Sequence, residues 1–212
     1  YNMVGNVAEW VENDRKVGSV AYIAGGFFSL PRERCLDKGR WIDVASELAF
    51  TYVDLLDHRR PDLAAWLLNE WLAGSGDFEA VPVLRFYAVY KAMVRAKVAG
   101  ITGNAAAAGG YLHLAESIAT PPPPQLTITF GLSGSGKTTA SADFLSADPS
   151  ATTLRLRSDV ERKRLFGLAP LAHSQSMVDG SIYTPEATLR TYARLVEAAG
   201  LILDAGWSVI LD

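Results

Sequence analysis

The chain has 212 residues, of which 49% are hydrophobic and 20% charged, and its formal net charge is −3. This composition is typical of a globular protein, and it excludes a disordered chain and a nucleic-acid binder held by bulk positive charge. The single cysteine, Cys35, cannot form an internal disulfide, and no apolar run reaches the roughly 18 residues that span a bilayer. We therefore expect a cytoplasmic protein without a membrane or nucleic-acid partner. Because the sequence begins at Tyr1 and stops at Asp212, directly after an apolar run, we also expect a piece of a longer protein.

The first part of the chain divides into two kinds of sequence. Residues 1–40 carry glycines and a proline between short apolar pieces, which predicts an irregular segment of loops and short strands. Residues 41–118 instead show apolar residues at spacings of three and four, which is typical of amphipathic or buried helices. The pattern predicts an all-α unit, a helical hairpin or three-helix arrangement, with helices that begin near Val44, Pro61 and Val83.

A proline-rich linker is predicted at residues 119–125. It contains four consecutive prolines, 121–124, which neither continue a helix nor join a central sheet. The preceding stretch, 100–110, is rich in Gly and Ala, and we interpret it as a frayed helix end or a flexible approach to the linker.

After the prolines, the pattern changes to alternating strands and helices. Such alternation predicts a parallel sheet, here the partial sheet of an α/β P-loop NTPase domain at 126–212. The predicted strands are 126–130, 152–156 and 207–211, and the predicted helices are 138–145, 160–166 and 185–205. Thr184 is the predicted N-cap of the last helix, with Pro185 at its first position. Arg190 and Arg194 are interpreted as solvated residues of that helix.

The clearest functional motif is the loop at 131–138, which matches G-x-x-x-x-G-K-[ST] at every fixed position. A buried strand is predicted before it and a helix after it, as a phosphate-binding loop requires. Glycines let backbone N–H groups turn towards phosphate oxygens, and the helix N-terminus adds partial positive charge. The predicted nucleotide-binding residues are Gly131, Ser133, Gly134, Ser135, Gly136, Lys137, Thr138 and Thr139. Lys137 would reach the terminal phosphates, and the Thr138 hydroxyl would bind Mg²⁺.

Asp212 follows the apolar run 209–211. An acidic residue at the end of such a strand is where a second Mg²⁺ ligand lies in P-loop proteins, so we predict metal binding by Asp212 together with Thr138. The alternative is an ordinary acidic residue at a strand end.

A second polar group follows the strand at 152–156. Ligands of open α/β sheets bind beyond the carboxyl ends of the strands, so Asp159 is expected to face the loop and to accept the proton of an acceptor hydroxyl. Arg157 and Arg162 are candidates for holding anionic groups of the substrate, with Arg162 also grouped with the catalytic residues Lys137 and Asp159. The alternative is that Ser158 or Asp159 merely caps the next helix while the arginines are solvated.

Six stretches carry a family likeness. They are 41–50 (WIDVASELAF), 84–90 (LRFYAVY), 94–98 (VRAKV), the loop at 131–138, 157–164 (RSDVERKR) and 209–212 (VILD). In them the chain resembles a bacterial family that joins an aminoglycoside-phosphotransferase-like domain to a predicted P-loop kinase. The resemblance implies ATP-dependent phosphotransfer by the P-loop domain, with residues 41–118 as part of the phosphotransferase-like C-terminal lobe. The catalytic residues of that lobe would precede Trp41, so Asp43 is not assigned a catalytic role.

The N-terminal segment resembles a different family. The matching residues are 2–11 (NMVGNVAEWV) and 25–27 (GGF). They are similar to the formylglycine-generating enzymes, also called sulfatase-modifying factors, which use a pair of cysteines. Cys35 lies at about the spacing of the second cysteine, but Leu30 stands near the first, which argues against that oxidase activity. The two resemblances together suggest a fused or mis-joined reading frame.

The sequence thus predicts a P-loop kinase fragment that binds ATP and Mg²⁺ and transfers the γ-phosphate to a hydroxyl of a small-molecule acceptor. Three alternatives remain: a P-loop ATPase or nucleotide switch, a helical binding module with an inactive loop, and an aminoglycoside-phosphotransferase-like protein with inactive remnants. The sequence indicates neither the acceptor nor the oligomeric state.

Overall fold

The structure of the protein is a computed structural model. It describes residues 35–37, 40–132, 134–168 and 182–212. The predictions for residues 1–34, including the resemblance to sulfatase-modifying factors and the position of Leu30, lie outside the described residues. In the described part, a β-hairpin of β1 (Cys35–Asp37) and β2 (Arg40–Ile42) precedes a helical region and a parallel sheet.

The helical region begins with three helices, as the sequence predicts. They are α1 (Val44–Asp57), α2 (Pro61–Ser75) and α3 (Val81–Ile101), and a short 3₁₀ turn (Phe78–Ala80) precedes α3. Asp43 caps α1, because its carboxylate accepts a hydrogen bond from the N–H of Ala45 at 3.0 Å. Asp43 therefore has a structural role. Helix α2 ends at Gly76, whose φ of 67° is left-handed and suits glycine.

A fourth helix, α4 (Ala105–Ala119), occupies much of the region interpreted as a frayed end. That interpretation is wrong for residues 105–110, and Gly109 and Gly110 lie inside the helix. The helix begins at Asn104, whose side chain accepts a hydrogen bond from the N–H of Ala107 at 3.0 Å. Packing along α3 compensates for the low helix propensity of the two glycines.

The sheet has three parallel strands, β3 (Leu126–Ile128), β5 (Ser208–Leu211) and β4 (Thr153–Leu156), in that spatial order. Helix α5 (Lys137–Ala147) follows β3, α6 (Ser158–Leu165) follows β4, and α7 (Pro185–Asp204) precedes β5. This arrangement confirms the predicted partial parallel sheet of an α/β P-loop fold after a mostly helical region. The prediction that the strand before the loop is buried is wrong, because Leu126 and Ile128 of the edge strand β3 are exposed.

The α7 helix begins as predicted. The Thr184 hydroxyl accepts a hydrogen bond from the N–H of Ala187 at 3.1 Å, and Pro185 lies in the first turn. Arg190 is exposed. The interpretation of Arg194 as solvated is wrong, because it lies half-buried against Glu161 and the ring of Phe78.

One hydrophobic core joins the helical region to the sheet. Leu68 and Leu72 of α2 belong to the same buried cluster as Leu154 of β4, Ile202 of α7 and Trp207. The proline run lies between α4 and β3. The two edges of the sheet have different surroundings. Helix α2 packs against the edge strand β4, and β3 is the edge strand on the opposite side. Within the described ranges, no helix combines the length and the apolar character needed to cross a membrane.

Candidate functional site

The carboxyl ends of the three parallel strands lie side by side. The register pairs Ile128 with Leu211 and Leu156 with Leu211, so the residues that follow each strand meet at one edge of the sheet. The N–H of Ser158 donates to the carbonyl of Asp212 at 2.7 Å, which ties the start of α6 to the end of β5. This edge is where ligands of open α/β sheets bind.

The loop at 131–138 turns from β3 into α5 through left-handed glycines. Gly134 has a φ of 76° and Gly136 a φ of 83°, values that side chains other than glycine rarely adopt. A Cβ atom added to Gly131 would lie 2.6 Å from the Ser135 hydroxyl, so this position also requires a small residue. Ser133, a predicted nucleotide-binding residue, lies outside the described residues.

The Lys137 side chain folds back over the loop. Its Nζ donates to the carbonyl of Gly131 at 2.8 Å and to the carbonyl of Leu132 at 2.7 Å. These bonds hold the ammonium group against the first two residues of the loop. A phosphate group would therefore meet a fixed positive charge here.

The first turn of α5 carries Thr138 and Thr139, and both are exposed. No side chain caps this helix, because Gly136 occupies the N-cap position. The N–H groups of the first turn are thus left for an outside acceptor, and the helix dipole favours an anionic one.

Asp212 lies behind this turn, and its side chain is only 4% exposed. The Ser141 hydroxyl donates to Oδ2 at 3.1 Å, and the Thr129 hydroxyl lies 3.5 Å from Oδ1. The Nε atom of Arg157 is 4.0 Å from Oδ2. The carboxylate is therefore buried among two hydroxyls and one more distant positive charge. Ser141 is one turn after Thr138, and its hydroxyl links Asp212 to α5.

A second arginine supports the start of α5. The Arg155 guanidinium donates to the Ser141 hydroxyl at 3.2 Å and to the Thr138 carbonyl at 3.4 Å. Burial, and next the charge of Arg157, hold the pKa of Arg155 below its usual value, although Asp212 counteracts them. Arg155 and Arg157 thus both lie near the buried carboxylate of Asp212.

Asp159 lies in the first turn of α6, about half exposed. Its Oδ2 pairs with Nζ of Lys163 at 2.8 Å, and its Oδ1 accepts from the Tyr183 hydroxyl at 3.3 Å. The expectation that Ser158 or Asp159 caps α6 is wrong, because the N-cap is Arg157 and no side chain makes a capping bond. The Asp159 carboxylate is oriented by two neighbours and remains open to solvent.

Arg162 is directed at the loop before α7. Its Nη1 donates to the Ile182 carbonyl and to the Thr188 hydroxyl, both at 3.1 Å, and its guanidinium stacks on the Tyr183 ring. In this conformation Arg162 holds the start of α7 near Asp159.

The structure therefore brings together Lys137, Thr138, Asp212 and Arg157 at one sheet edge, with Asp159 at the adjoining helix start. Sequence reasoning missed Thr129, Ser141 and Arg155, which lie near Asp212, and it assigned no role to Tyr183. For Ser141 the sequence does hold a signal. It lies three residues after Thr138, and residues three apart share a helix face. No comparable signal links Tyr183 to Asp159.

Comparison with known proteins agrees with this geometry. The fold and the loop define an α/β P-loop domain, and a family model described as an AAA domain, AAA_33, matches residues 126–212. A P-loop domain of this kind indicates nucleotide binding, in agreement with the motif at 131–138.

Three curated relatives share 29% identity with the chain over 185 residues. They are the uncharacterized protein Mb2027c of Mycobacterium bovis and the uncharacterized proteins MT2060 and Rv2004c of Mycobacterium tuberculosis strains CDC 1551 and H37Rv. The match covers 83% of this chain and 36% of each relative, so the chain spans about a third of their length. No solved structure matches the chain.

Proposed function

We propose that residues 126–212 form a nucleotide-dependent kinase site that transfers the γ-phosphate of ATP to a hydroxyl of a small-molecule acceptor. The observation that carries the proposal is the shared sheet edge, where the phosphate-binding loop, a buried carboxylate and an open carboxylate follow three neighbouring parallel strands. A site that only binds nucleotide does not need the open carboxylate of Asp159. Asp159 gives this site a group that can accept a proton.

The oxygen donors of Asp212 and Thr138 are of the kind that would hold a magnesium ion. Carboxylate and hydroxyl oxygens are the ligands that Mg²⁺ prefers, and Asp212 and Thr138 would supply one of each. Within the described residues, no group of three or more His, Cys, Asp or Glu side chains forms a complete metal site, so the phosphate oxygens of a nucleotide would complete the shell. When bound, the ion would neutralise phosphate charge.

The protein's own residues then divide the work. The N–H groups of the loop and the Lys137 ammonium hold the β- and γ-phosphates, which fixes the phosphorus for attack along one line. The acceptor oxygen forms a bond to the γ-phosphorus as the bond to the β–γ bridging oxygen breaks. The proton of the acceptor hydroxyl passes to Asp159, and ADP leaves. Lys163 and Tyr183 keep the Asp159 carboxylate in place through its two oxygens.

In this proposal the helical region has a structural role beside the nucleotide site. We propose that residues 41–118 derive from the C-terminal lobe of an aminoglycoside-phosphotransferase-like domain, separated from the P-loop domain by the linker at 119–125. Their contacts with the sheet, through the common core and through α2, support a structural role beside the nucleotide site.

The test is transfer of labelled γ-phosphate from ATP to a panel of small alcohols, measured beside release of free phosphate. A kinase predicts labelled acceptor product with the wild type and a loss of at least about 100-fold with Asp159→Asn, since general base catalysis contributes on the order of 10²–10⁴. Nucleotide binding by Asp159→Asn serves as the control, because Asp159 is outside the phosphate loop. Phosphate release at equal rates in the wild type and in Asp159→Asn, with no labelled product, would instead indicate an ATPase or switch.

A further inference from the structure

The buried charge of Asp212 carries a further inference. Its side chain is 4% exposed, and an unpaired buried carboxylate is strongly unfavourable. Two hydroxyls, from Ser141 and Thr129, contact it. Hydroxyls supply hydrogen bonds but no charge, so a cation is needed to balance this group.

Two arginines lie near this carboxylate, and they differ in how they are held. Arg155 makes two hydrogen bonds, to Thr138 and Ser141, and its guanidinium is linked to Asp212 by the shared Ser141 hydroxyl as well as by charge. The Nε atom of Arg157 lies 4.0 Å from Oδ2 of Asp212, which is beyond hydrogen-bond length. The Arg157 contact is therefore one of charge, without a fixed bond.

The position of Arg157 also lets it move. It occupies the junction between β4 and α6, it is the N-cap of α6, and its side chain is about one third exposed. A long side chain in this place can leave Asp212 without disturbing the backbone, because the backbone is held by the bond from Ser158 N–H to the Asp212 carbonyl.

A divalent cation and Arg157 cannot serve Asp212 equally well at the same time. Mg²⁺ binds carboxylate oxygens at about 2.0–2.1 Å, far closer than the arginine, and carries twice its charge. A positive charge a few ångströms from the ion repels it, and the repulsion is stronger beside a buried carboxylate than in bulk water.

We propose that Arg157 is the resident counter-ion of Asp212 in the nucleotide-free protein and that a magnesium ion displaces it. Arg157 thus stabilises the empty site and weakens metal binding. The released guanidinium is then free for an anionic group at the same sheet edge. This inference rests on the proposed function, because Asp212 is taken as a metal ligand.

The test uses thermal unfolding of the full chain in a titration with Mg²⁺ alone, with water in place of the nucleotide phosphates in the shell of the ion, so that only the protein ligands determine the response. In Arg157→Gln, the buried carboxylate loses its counter-ion, so we expect a melting temperature lower by about 2–4 °C in chelator, typical of a modest loss in a chain of this size. The Mg²⁺ concentration for half-maximal stabilisation should fall about tenfold relative to wild type, because a repelling charge is removed. Equal Mg²⁺ responses of the two proteins would overturn the proposal.

Two further variants keep the result interpretable. Arg190→Gln removes one positive charge from an exposed position on α7, and we expect it to respond to Mg²⁺ as the wild type does. Arg157→Gln combined with Asp212→Asn should fold and lose the Mg²⁺ response. If Arg157→Gln does not fold, folding of the double variant supports the pairing, and failure of both refutes it.

A parallel titration with ADP separates this inference from the proposed function. A wild type that fails to bind ADP at any Mg²⁺ concentration contradicts the nucleotide site, whereas the Mg²⁺-only melts still decide the role of Arg157. ADP binding with a Mg²⁺ requirement unchanged in Arg157→Gln supports the site and refutes the counter-ion.

Discussion

The side chain of Asn69 completes the outer edge of β4 beside Arg155. Its Oδ1 accepts from the Arg155 N–H at 2.6 Å, and its Nδ2 donates to the Thr153 carbonyl at 3.1 Å. The amide of an α2 residue thus satisfies the same backbone groups that a neighbouring strand would satisfy. An edge strand with free N–H and C=O groups is a template for aggregation, and here the helical region blocks it.

Asn69→Ala is expected to destabilise the protein and to expose this edge. The change leaves the N–H of Arg155 and the carbonyl of Thr153 buried without these partners, which costs about 1–3 kcal/mol for a lost partner. Chemical denaturation measures the loss of unfolding free energy, and light scattering near the melting temperature measures aggregation.

Asn104→Ala is the matched control, since Asn104 caps α4 at an exposed site. It should cost about 1 kcal/mol as a lost N-cap and should not increase scattering. Equal scattering by the two variants would mean that Asn69 does not protect the edge.

Arg164 joins the helix that carries Asp159 to the end of α2. Its Nη2 donates to the Ala73 carbonyl at 2.5 Å, and its guanidinium pairs with Glu161, which is 2% exposed. Among the residues that the structure describes, Arg164→Met leaves the buried Glu161 with Arg194, at 3.9 Å, as its one charged partner. Breaking a buried pair in this way costs about 3–5 kcal/mol.

A double-mutant cycle tests the Arg164 pair. Glu161→Gln combined with Arg164→Met should be clearly more stable than Arg164→Met alone, because it removes the unpaired charge. Urea denaturation at neutral pH measures the unfolding free energies of the wild type, the two single variants and the double variant. Additive losses would show that the two residues act independently.

Asp148 makes the stability depend on acid pH. Burial raises the pKa of Asp148, but hydrogen bonds from Ser150, Thr153 and the N–H of Thr152 outweigh it, and the pKa lies below its usual value. A carboxyl with a lowered pKa in the folded state stabilises the protein above its unfolded pKa of about 3.9, and this contribution is lost as the pH falls through the folded pKa.

Asp148→Asn should therefore lower the melting temperature at pH 7. The difference in melting temperature between the variant and the wild type should become smaller as the pH falls below about 4. Melting curves between neutral and acid pH measure this effect. Asp143→Asn, at an exposed position of α5, is the control. A difference between Asp148→Asn and wild type that stays constant over this range would contradict the assignment.

The sequence predicts the elements that depend on local signals. Thr184 and Pro185 define the start of α7, and the motif at 131–138 marks the turn between β3 and α5. Helix α4 escaped prediction because its glycines have low helix propensity and its stability comes from packing on α3.

Contacts between distant parts of the chain were not predictable. Asn69 and Arg155 are 86 positions apart, and an asparagine in a helix gives no sign that it will pair with a strand edge. The apolar periodicity of α7 places Arg194 on the polar face of the helix. In the fold, α6 packs beside α7, and Glu161 of α6 lies 3.9 Å from Arg194. The same limit applies to Tyr183, which meets Asp159 only when α6 and α7 pack together.

In the proposed function, the loop at 131–138 binds nucleotide phosphates through Lys137. Calorimetric titration of Mg·ATP into wild type and Lys137→Ala tests it most directly. The variant loses two hydrogen bonds to exposed loop carbonyls, so its melting temperature should change little and serves as the folding control. We expect saturable binding by the wild type and a loss of affinity of at least about tenfold in Lys137→Ala, as expected for a charged hydrogen-bonding contact. Equal affinity in two folded proteins, or no binding by either, would contradict the account.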